Sequence, residues 1–182
     1  MKNILKNRLA LSTVVTTLII LVVSVLLAGV VTYFAINVTS TRVQEESLVL
    51  TKQHIWFVGG TSQAAIMIIN TGGRDIVLDK LAVRGQEVVW TNAFYNVTTD
   101  SISNDLAFNT TLANNGHITL GSSYYVMTQG STTDLTLQSG KTMIVYITSP
   151  DSITINDVGL TAAITVFTSQ AMYYKETNVQ SN

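Results

Sequence analysis

The chain has 182 residues, a net charge of −1 and no cysteine, and only 12% of its residues are charged. This balance offers no basic surface for nucleic acid, and the lack of cysteine excludes a disulfide scaffold without excluding export. Ser, Thr and Asn supply 54 of the 182 residues, a composition that favours strands and exposed loops over helices.

An uncharged apolar run covers the 26 residues 11–36 and follows the basic residues Lys2, Lys6 and Arg8. As a helix it would be about 39 Å long, which exceeds the roughly 30 Å hydrocarbon core of a bilayer. The positive charges before the run should stay in the cytoplasm, so the amino end is predicted inside and the rest of the chain outside. The membrane is therefore the first expected partner.

The run does not have the pattern of an ordinary cleaved secretory signal. Such a signal has an apolar region of about 7 to 15 residues and a small-x-small site behind it. The far end of this run reads "VTYFAINVT" and offers no such pair. Removal behind the helix is not expected, which leaves a retained single-pass anchor or a helix that is processed at its other end.

The residues before the run read "KNRLA", and the run itself begins "LSTVV". This arrangement resembles the class III signal of type IV pilin-like proteins, and the archaeal branch in particular. The resemblance implies that residues 1–10 are a cytoplasmic leader, with Lys6 and Arg8 as its basic residues. It also implies that prepilin peptidase cuts between Ala10 and Leu11.

The same resemblance has consequences for the helix that remains after cleavage. In such proteins the helix first sits in the membrane, and the pilus assembly machinery then packs it into the centre of a homopolymeric filament. Position five of the mature chain would be Val15, so the glutamate that is usual there in bacterial pilins is missing. The role of that glutamate is therefore not carried over.

Beyond the run, residues 37–52 are predicted to extend the helix, residues 53–175 to form a β-domain, and residues 176–182 to be a polar tail. Short β-rich segments separated by Gly, Asn, Asp and Ser predict an antiparallel sandwich. The fold class is therefore α+β, a long N-terminal hydrophobic helix followed by an all-β, immunoglobulin-like sandwich head. The predicted strands are 54–58, 63–70, 75–85, 87–91, 117–120, 124–127, 134–137, 142–148, 152–155 and 160–169.

Two turns support this reading. "NTGGRD" joins two predicted strands through paired glycines, which accept positive φ, and "QSGK" does the same before residues 142–148. The longer segment "AAIMIINTGGRDIVLDKLAVRG" also resembles the opening hairpin of the β-rich ectodomain in archaeal pilin-like and archaellin-like proteins.

Single aromatic residues raise two further questions. The polar interval 91–116 is long for a loop, which indicates a functional or mobile segment. Phe94, Tyr95 and Phe108 offer the alternative that this interval is held against the sheet. Trp56 and Trp90 are predicted to be core residues, with an interface between neighbouring subunits as the alternative.

No motif in the sequence indicates catalysis or a bound cofactor. The residues weighed for such roles are His54, His117, Asp75, Asp79, Asp151 and Asp157. The two histidines stand apart from other metal ligands, Asp75 and Asp79 are expected on one face of a strand, and Asp151 and Asp157 bracket a turn with too few oxygens for calcium. A non-enzymatic protein without cofactor or metal is expected.

Three N-x-[ST] sequons begin at Asn37, Asn96 and Asn109. Asn96 and Asn109 fall in the polar interval, where a glycan would be accessible. Asn37 lies at the membrane edge and is a poor acceptor.

Taken with the resemblance, these features predict a structural subunit of an archaeal type IV pilus-like surface filament that serves adhesion. The subunit would be a membrane precursor first and an extracellular filament when mature. One alternative is a single-pass surface protein whose sandwich binds a ligand or partner. Another is an archaellin, although a start of "LSTVV" rather than Gly-rich sequence favours the adhesive pilin.

Overall fold

The computed structural model describes residues 2–43, 45–131 and 134–181, with helix side chains described for residues 11–40. The chain divides into two compact units, Met1–Val43 and Gln44–Asn182. The first unit is helical and the second is a β-rich head.

Helix α1 comprises Lys2–Val43, and the predicted helix over residues 11–36 lies inside it. The predicted extension through residue 52 is wrong, because β1 already begins at Leu48. Leu48 and Leu50 are buried while Val49 is exposed, a period of two that suits a strand and not a helix.

The head contains twelve strands among its described residues, in chain order β1 to β12. Their bounds are β1 Leu48–Val58, β2 Thr61–Asn70, β3 Ile76–Val83, β4 Gln86–Val88, β5 Ala93–Thr98, β6 His117–Leu120, β7 Ser123–Val126, β8 Thr128–Gln129, β9 Leu135–Leu137, β10 Thr142–Thr148, β11 Thr161–Thr168 and β12 Met172–Gln180. Short 3-10 helices lie at Trp90–Asn92 and Ile155–Asp157.

Ten strands of the described head form one sheet in the order β4-β3-β11-β12-β1-β2-β10-β5-β8, with β9 added to β3. All pairings but one are antiparallel; β1 and β12 run parallel and pair at Ile55 with Val179 and Trp56 with Gln180. The described strands β6 and β7 form a separate hairpin. The predicted α+β class, a long apolar helix and a mostly antiparallel, sandwich-like head, is confirmed.

The strands β1, β2, β5 and β10 carry apolar residues on both faces. β10 is buried from Thr142 to Ile147, a continuous run where a one-sided sheet would alternate. One face packs against β3, β9, β11 and β12 through Ile66, Ile68, Val145, Leu81 and Ile164. The other face packs under the β6–β7 hairpin through Trp56, Ile144, Tyr146, Ile118 and Tyr125. The head therefore has two apolar cores, which we call the inner core and the outer core in that order.

The β2–β3 turn shows why "NTGGRD" carries glycine. A Cβ at Gly72 would lie 2.7 Å from the carbonyl oxygen of Glu45 and 2.8 Å from the backbone nitrogen of Ser47. Close approach of two chain segments, and not the predicted positive φ, therefore requires glycine at this position. In "QSGK" the prediction is confirmed, because Gly140 has a φ of 73°.

Three further predictions differ from the structure. Residues 152–155 are not a strand, because the chain there turns into the 3-10 helix Ile155–Asp157. The prediction of a polar tail at 176–182 is wrong, since β12 extends to Gln180 and pairs along β11. The interval 91–116 contains a strand, β5, which pairs with β10 from Ala93 to Thr98.

Candidate assembly helix and candidate modification sites

Most of the exposed large apolar side chains in the described chain lie on α1. Residues Leu11–Ser40 form a segment that is long and apolar enough to cross a membrane, and its most apolar 18-residue window has a mean hydropathy of 2.9. Every side chain in this segment is exposed within the single chain, and the apolar residues surround the helix instead of forming one stripe. A helix that is apolar on all sides requires an apolar environment on all sides.

Hydroxyl groups in this segment bond to the helix itself. Thr16 Oγ1 donates to the carbonyl of Ser12 at 2.9 Å, and Thr17 Oγ1 donates to that of Val14 at 2.9 Å. Ser24 and Thr32 each donate to the carbonyl four residues earlier, at 2.7 and 2.8 Å. These bonds satisfy the hydroxyls without an outside partner, so the helix surface can enter hydrocarbon or pack against another helix at low cost.

The segment is also longer than a bilayer requires. Thirty residues form a helix of about 45 Å, whereas roughly 20 residues span the hydrocarbon core. A surplus of about 15 Å has to be accommodated by tilt or by an apolar surrounding outside the bilayer.

The predicted leader residues Lys6, Arg8 and Ala10 fall within the backbone of α1, but their side chains lie outside the described residues. Leu11, the predicted new amino end, is 67% exposed. Cleavage between Ala10 and Leu11 stays a prediction.

The interval 91–116 is held against the sheet by aromatic packing and by bonds to its backbone. Phe94 is buried in the outer core, Phe108 packs against that core, and Tyr95 packs against the inner core. Tyr146 Oη donates to the carbonyl of Ala107 at 3.0 Å, and burial raises the pKa of Tyr146 to about 12, so this donor stays protonated. The predicted alternative of a segment packed on the sheet is therefore confirmed.

Both tryptophans lie at cores of the head. Trp56 is 5% exposed in the outer core, stacked on the His54 ring at 5.1 Å and edge-on to Phe108 at 6.2 Å. Trp90 is half-buried and packs against the inner core. The core prediction is confirmed for Trp56, and Trp90 belongs to the edge of the inner core.

His54 forms a contact that the sequence does not indicate, because its partner is far away in the chain. Its Nε2 lies 3.0 Å from Asp105 Oδ1, and its buried Nδ1 has no partner among the described residues. Lys52, with a φ of 52° at a bulge in β1, donates Nζ to the carbonyls of Ile102 and Asn104. These contacts fasten the interval to β1.

The Asp105 carboxylate responds to these surroundings. Partial burial acts to raise its pKa, but hydrogen bonds from His54 and from the Leu106 N–H, with the charges of His54 and Lys52, lower the pKa overall. His117 is exposed on β6 and contacts the Tyr124 ring edge-on at 5.5 Å. Within the described parts of the chain, no group of three or more His, Cys, Asp or Glu side chains could hold a metal ion.

Neither of the two aspartate pairs forms a shared binding site. Asp75 lies one residue before β3 and accepts a bond from the Ser139 N–H at 2.9 Å, while Asp79 lies within the strand; both residues are exposed. Asp151 is exposed, whereas Asp157 is buried and faces Thr154 and Arg84.

Asp157 joins the loop before β11 to the β3–β4 turn. Its Oδ2 accepts from the N–H and the hydroxyl of Thr154, each at 2.8 Å, and its Oδ1 contacts Arg84 Nη1. The pKa of Asp157 is lowered mainly by the hydrogen bonds from Thr154 and secondly by Arg84.

We expect Asp157→Asn to lower the thermal unfolding midpoint by a few degrees at pH 7. A carboxylate with a lowered pKa stabilises the fold above its unfolded pKa of about 3.9, and that contribution is lost as pH falls through the lower folded value. The difference in unfolding midpoint between the wild type and Asp157→Asn should therefore become smaller below about pH 4. Thermal unfolding of the detergent-solubilised protein between pH 2 and 7 measures it, with Asp151→Asn as the exposed control. An equal difference in unfolding midpoint at all pH values would contradict a stabilising role for the ionised Asp157 carboxylate.

The three sequons differ sharply in structure. Asn37 lies within the apolar helix segment. Asn96 lies in β5, where its Nδ2 donates to the Val126 carbonyl at 2.7 Å and its Oδ1 is buried without a partner among the described residues. Asn109 lies outside any strand, and its Oδ1 accepts bonds from the Thr111 N–H at 2.8 Å and the Thr111 hydroxyl at 3.0 Å.

Comparison with known proteins does not assign the chain to a family. No protein-family model matches it, and a search of curated proteins finds no significant match.

Proposed function

We propose that this chain is a structural, non-enzymatic subunit of an archaeal type IV pilus-like surface filament that serves adhesion. The observation that carries the proposal is the Leu11–Ser40 segment, apolar on every side and longer than one bilayer requires. A bundle of such helices in a filament core would surround each segment along its whole length.

Removal of this segment from water is strongly favourable, and a bilayer and a filament core both provide it. Each Leu, Ile or Val side chain removed from water contributes about 1.5–3 kcal/mol, so the segment as a whole represents tens of kcal/mol. The bonded hydroxyls of Thr16, Thr17, Ser24 and Thr32 add no unsatisfied group to the packed surface. The head is a separate compact unit that can face solvent.

The mature amino terminus tests the proposal. Prepilin peptidase should cut after Ala10, so mass spectrometry of the protein from sheared surface material should find Leu11 at the terminus. Ala10→Leu enlarges the residue before the cut and should leave the precursor intact in the membrane, whereas Leu9→Ile leaves the Ala10–Leu11 bond unchanged and should be processed normally. An intact leader on the mature wild-type protein would overturn the proposal.

The rival function, a single-pass surface protein with a ligand-binding head, uses the same helix as an anchor. It differs in two observables, because its leader would stay attached and shearing would release no filament. Negative-stain microscopy of sheared surface material from cells with and without the gene separates the two. An archaellin would also be processed after Ala10, and loss of swimming in the deletion strain would identify it.

A further inference from the structure

Of the three sequons, we propose that Asn109 alone is a glycosylation site and that it carries an N-linked glycan. The inference requires only that the head is exported, and it goes beyond the proposed filament function. It depends on how the structure holds each acceptor amide.

Asn109 is half-buried and is held through its backbone and its side-chain oxygen. Gln63 holds the backbone from the sheet side, since its Nε2 donates to the Asn109 carbonyl at 2.8 Å and its Oε1 accepts from the Asn109 N–H at 2.9 Å. The Asn109 Oδ1 is occupied by the N–H and the hydroxyl of Thr111. Nδ2, the atom that would receive the sugar, donates no hydrogen bond to any residue in the described parts of the chain.

The third sequon residue is therefore already in contact with the acceptor side chain. The Thr111 hydroxyl is 3.0 Å from Asn109 Oδ1, and the bond from its N–H closes a tight Asx turn over residues 109–111. The sequon pattern requires a hydroxyl at this position, and the folded chain places it against the amide group that would react.

The surface beside Asn109 leaves room for a first sugar. A cleft runs from the β1–β2 turn to the Asn109 segment. Val58, Phe108 and Leu112 contribute its apolar walls, and the hydroxyl-bearing Thr61, Thr110 and Thr148 also line it. A sugar ring, with apolar faces and hydroxyl edges, suits such a surface.

Asn96 is unsuitable whether the sugar is added before or after folding. After folding, its Nδ2 is bonded to the Val126 carbonyl and its Oδ1 is buried. If the sugar were added first, it would occupy the position that the Val126 carbonyl takes beside Nδ2 in the folded head. Asn37 lies in the apolar segment, where hydrocarbon or neighbouring helices would surround it.

Peptide mass spectrometry of the protein from native cells tests the inference. A protease that cleaves before aspartate places Asn96 in residues 79–99 and Asn109 in residues 105–133, so the two sites are read separately. We expect a glycan mass on the second peptide and none on the first. An unmodified 105–133 peptide, or a glycan on the 79–99 peptide, would overturn the inference.

Matched variants give a second reading. Asn109→Gln and Thr111→Ala should both reduce the intact mass to that of the unmodified chain, while Thr111→Ser and Asn96→Gln should keep the glycan. Glycan mass remaining on Thr111→Ala would mean that another acceptor is used and would also overturn the inference. Because membrane and sheared fractions are pooled, a chain that forms no filament still reports on Asn109.

Discussion

From the membrane and filament role proposed above, we expect Leu26→Asp to remove the protein from the cell surface. Leu26 lies near the middle of the apolar segment and is 64% exposed, so an aspartate there would enter hydrocarbon or a helix–helix contact. The insertion cost of a charged residue at the centre of a membrane helix is about 2.5–3.5 kcal/mol. That cost corresponds to a loss on the order of 100-fold in the inserted population. Immunoblotting of membrane and sheared fractions measures it.

Two controls separate the effect of charge from the loss of a leucine. Leu26→Ala keeps the helix apolar and should leave surface amounts close to those of the wild type. Leu160→Asp makes the same change at a leucine that is 52% exposed in the head, and it should be tolerated. Wild-type surface amounts of Leu26→Asp would contradict an apolar surrounding for this part of the helix.

Asn70→Ala should be among the most destabilising single changes in the head. Asn70 is fully buried at the end of β2. Its Nδ2 donates to the carbonyls of Arg74 and Leu137 at 2.8 and 3.0 Å, and its Oδ1 accepts from the Gly72 N–H at 3.0 Å. Each buried partner that is left unsatisfied costs about 1–3 kcal/mol, so we expect a loss of about 3–5 kcal/mol in the free energy of unfolding.

Denaturant unfolding of the solubilised protein, followed by tryptophan fluorescence, measures this loss. Asn70→Leu keeps a similar volume without the three bonds, so it separates hydrogen bonding from packing and should be as harmful as the alanine change. Asn156→Ala removes an exposed asparagine and should change stability by less than about 0.5 kcal/mol. A small loss in the free energy of unfolding for both Asn70 variants would contradict this role of the three hydrogen bonds.

The parts of the fold that sequence could predict are those with a strong local signal. The helix followed from its uncharged run, and β10 and β11 from compact β-branched segments, so their predicted ranges 142–148 and 160–169 lie close to the observed bounds. β12 was missed because it is polar at most positions, and its pairing with β11 and β1 makes it a strand. Long-range pairing is not visible in local composition.

The second core could not be predicted for a related reason. Period-two alternation identifies a strand with one buried face, whereas β2 and β10 are buried on both faces because the segment between β5 and β8 returns over the sheet. The contact between His54 and Asp105 depends on the same return, since the two residues are 51 positions apart. Likewise, the sequence named Asn96 and Asn109 as equal candidates, and only the bonds to Val126 and Thr111 distinguish them.

The parallel pairing of β1 with β12 has a consequence for biogenesis. Synthesis from the amino end produces β1 first, and its antiparallel partner β2 follows at once, but its other partner is β12, the last of the described strands. Until residues 172–180 have been synthesised, β1 has one unpaired edge next to apolar residues such as Ile55. Open strand edges of this kind recruit other chains. A stop codon or proteolytic cut shortly before Met172 should therefore yield fragments that aggregate, although they contain eleven of the twelve strands described for the head.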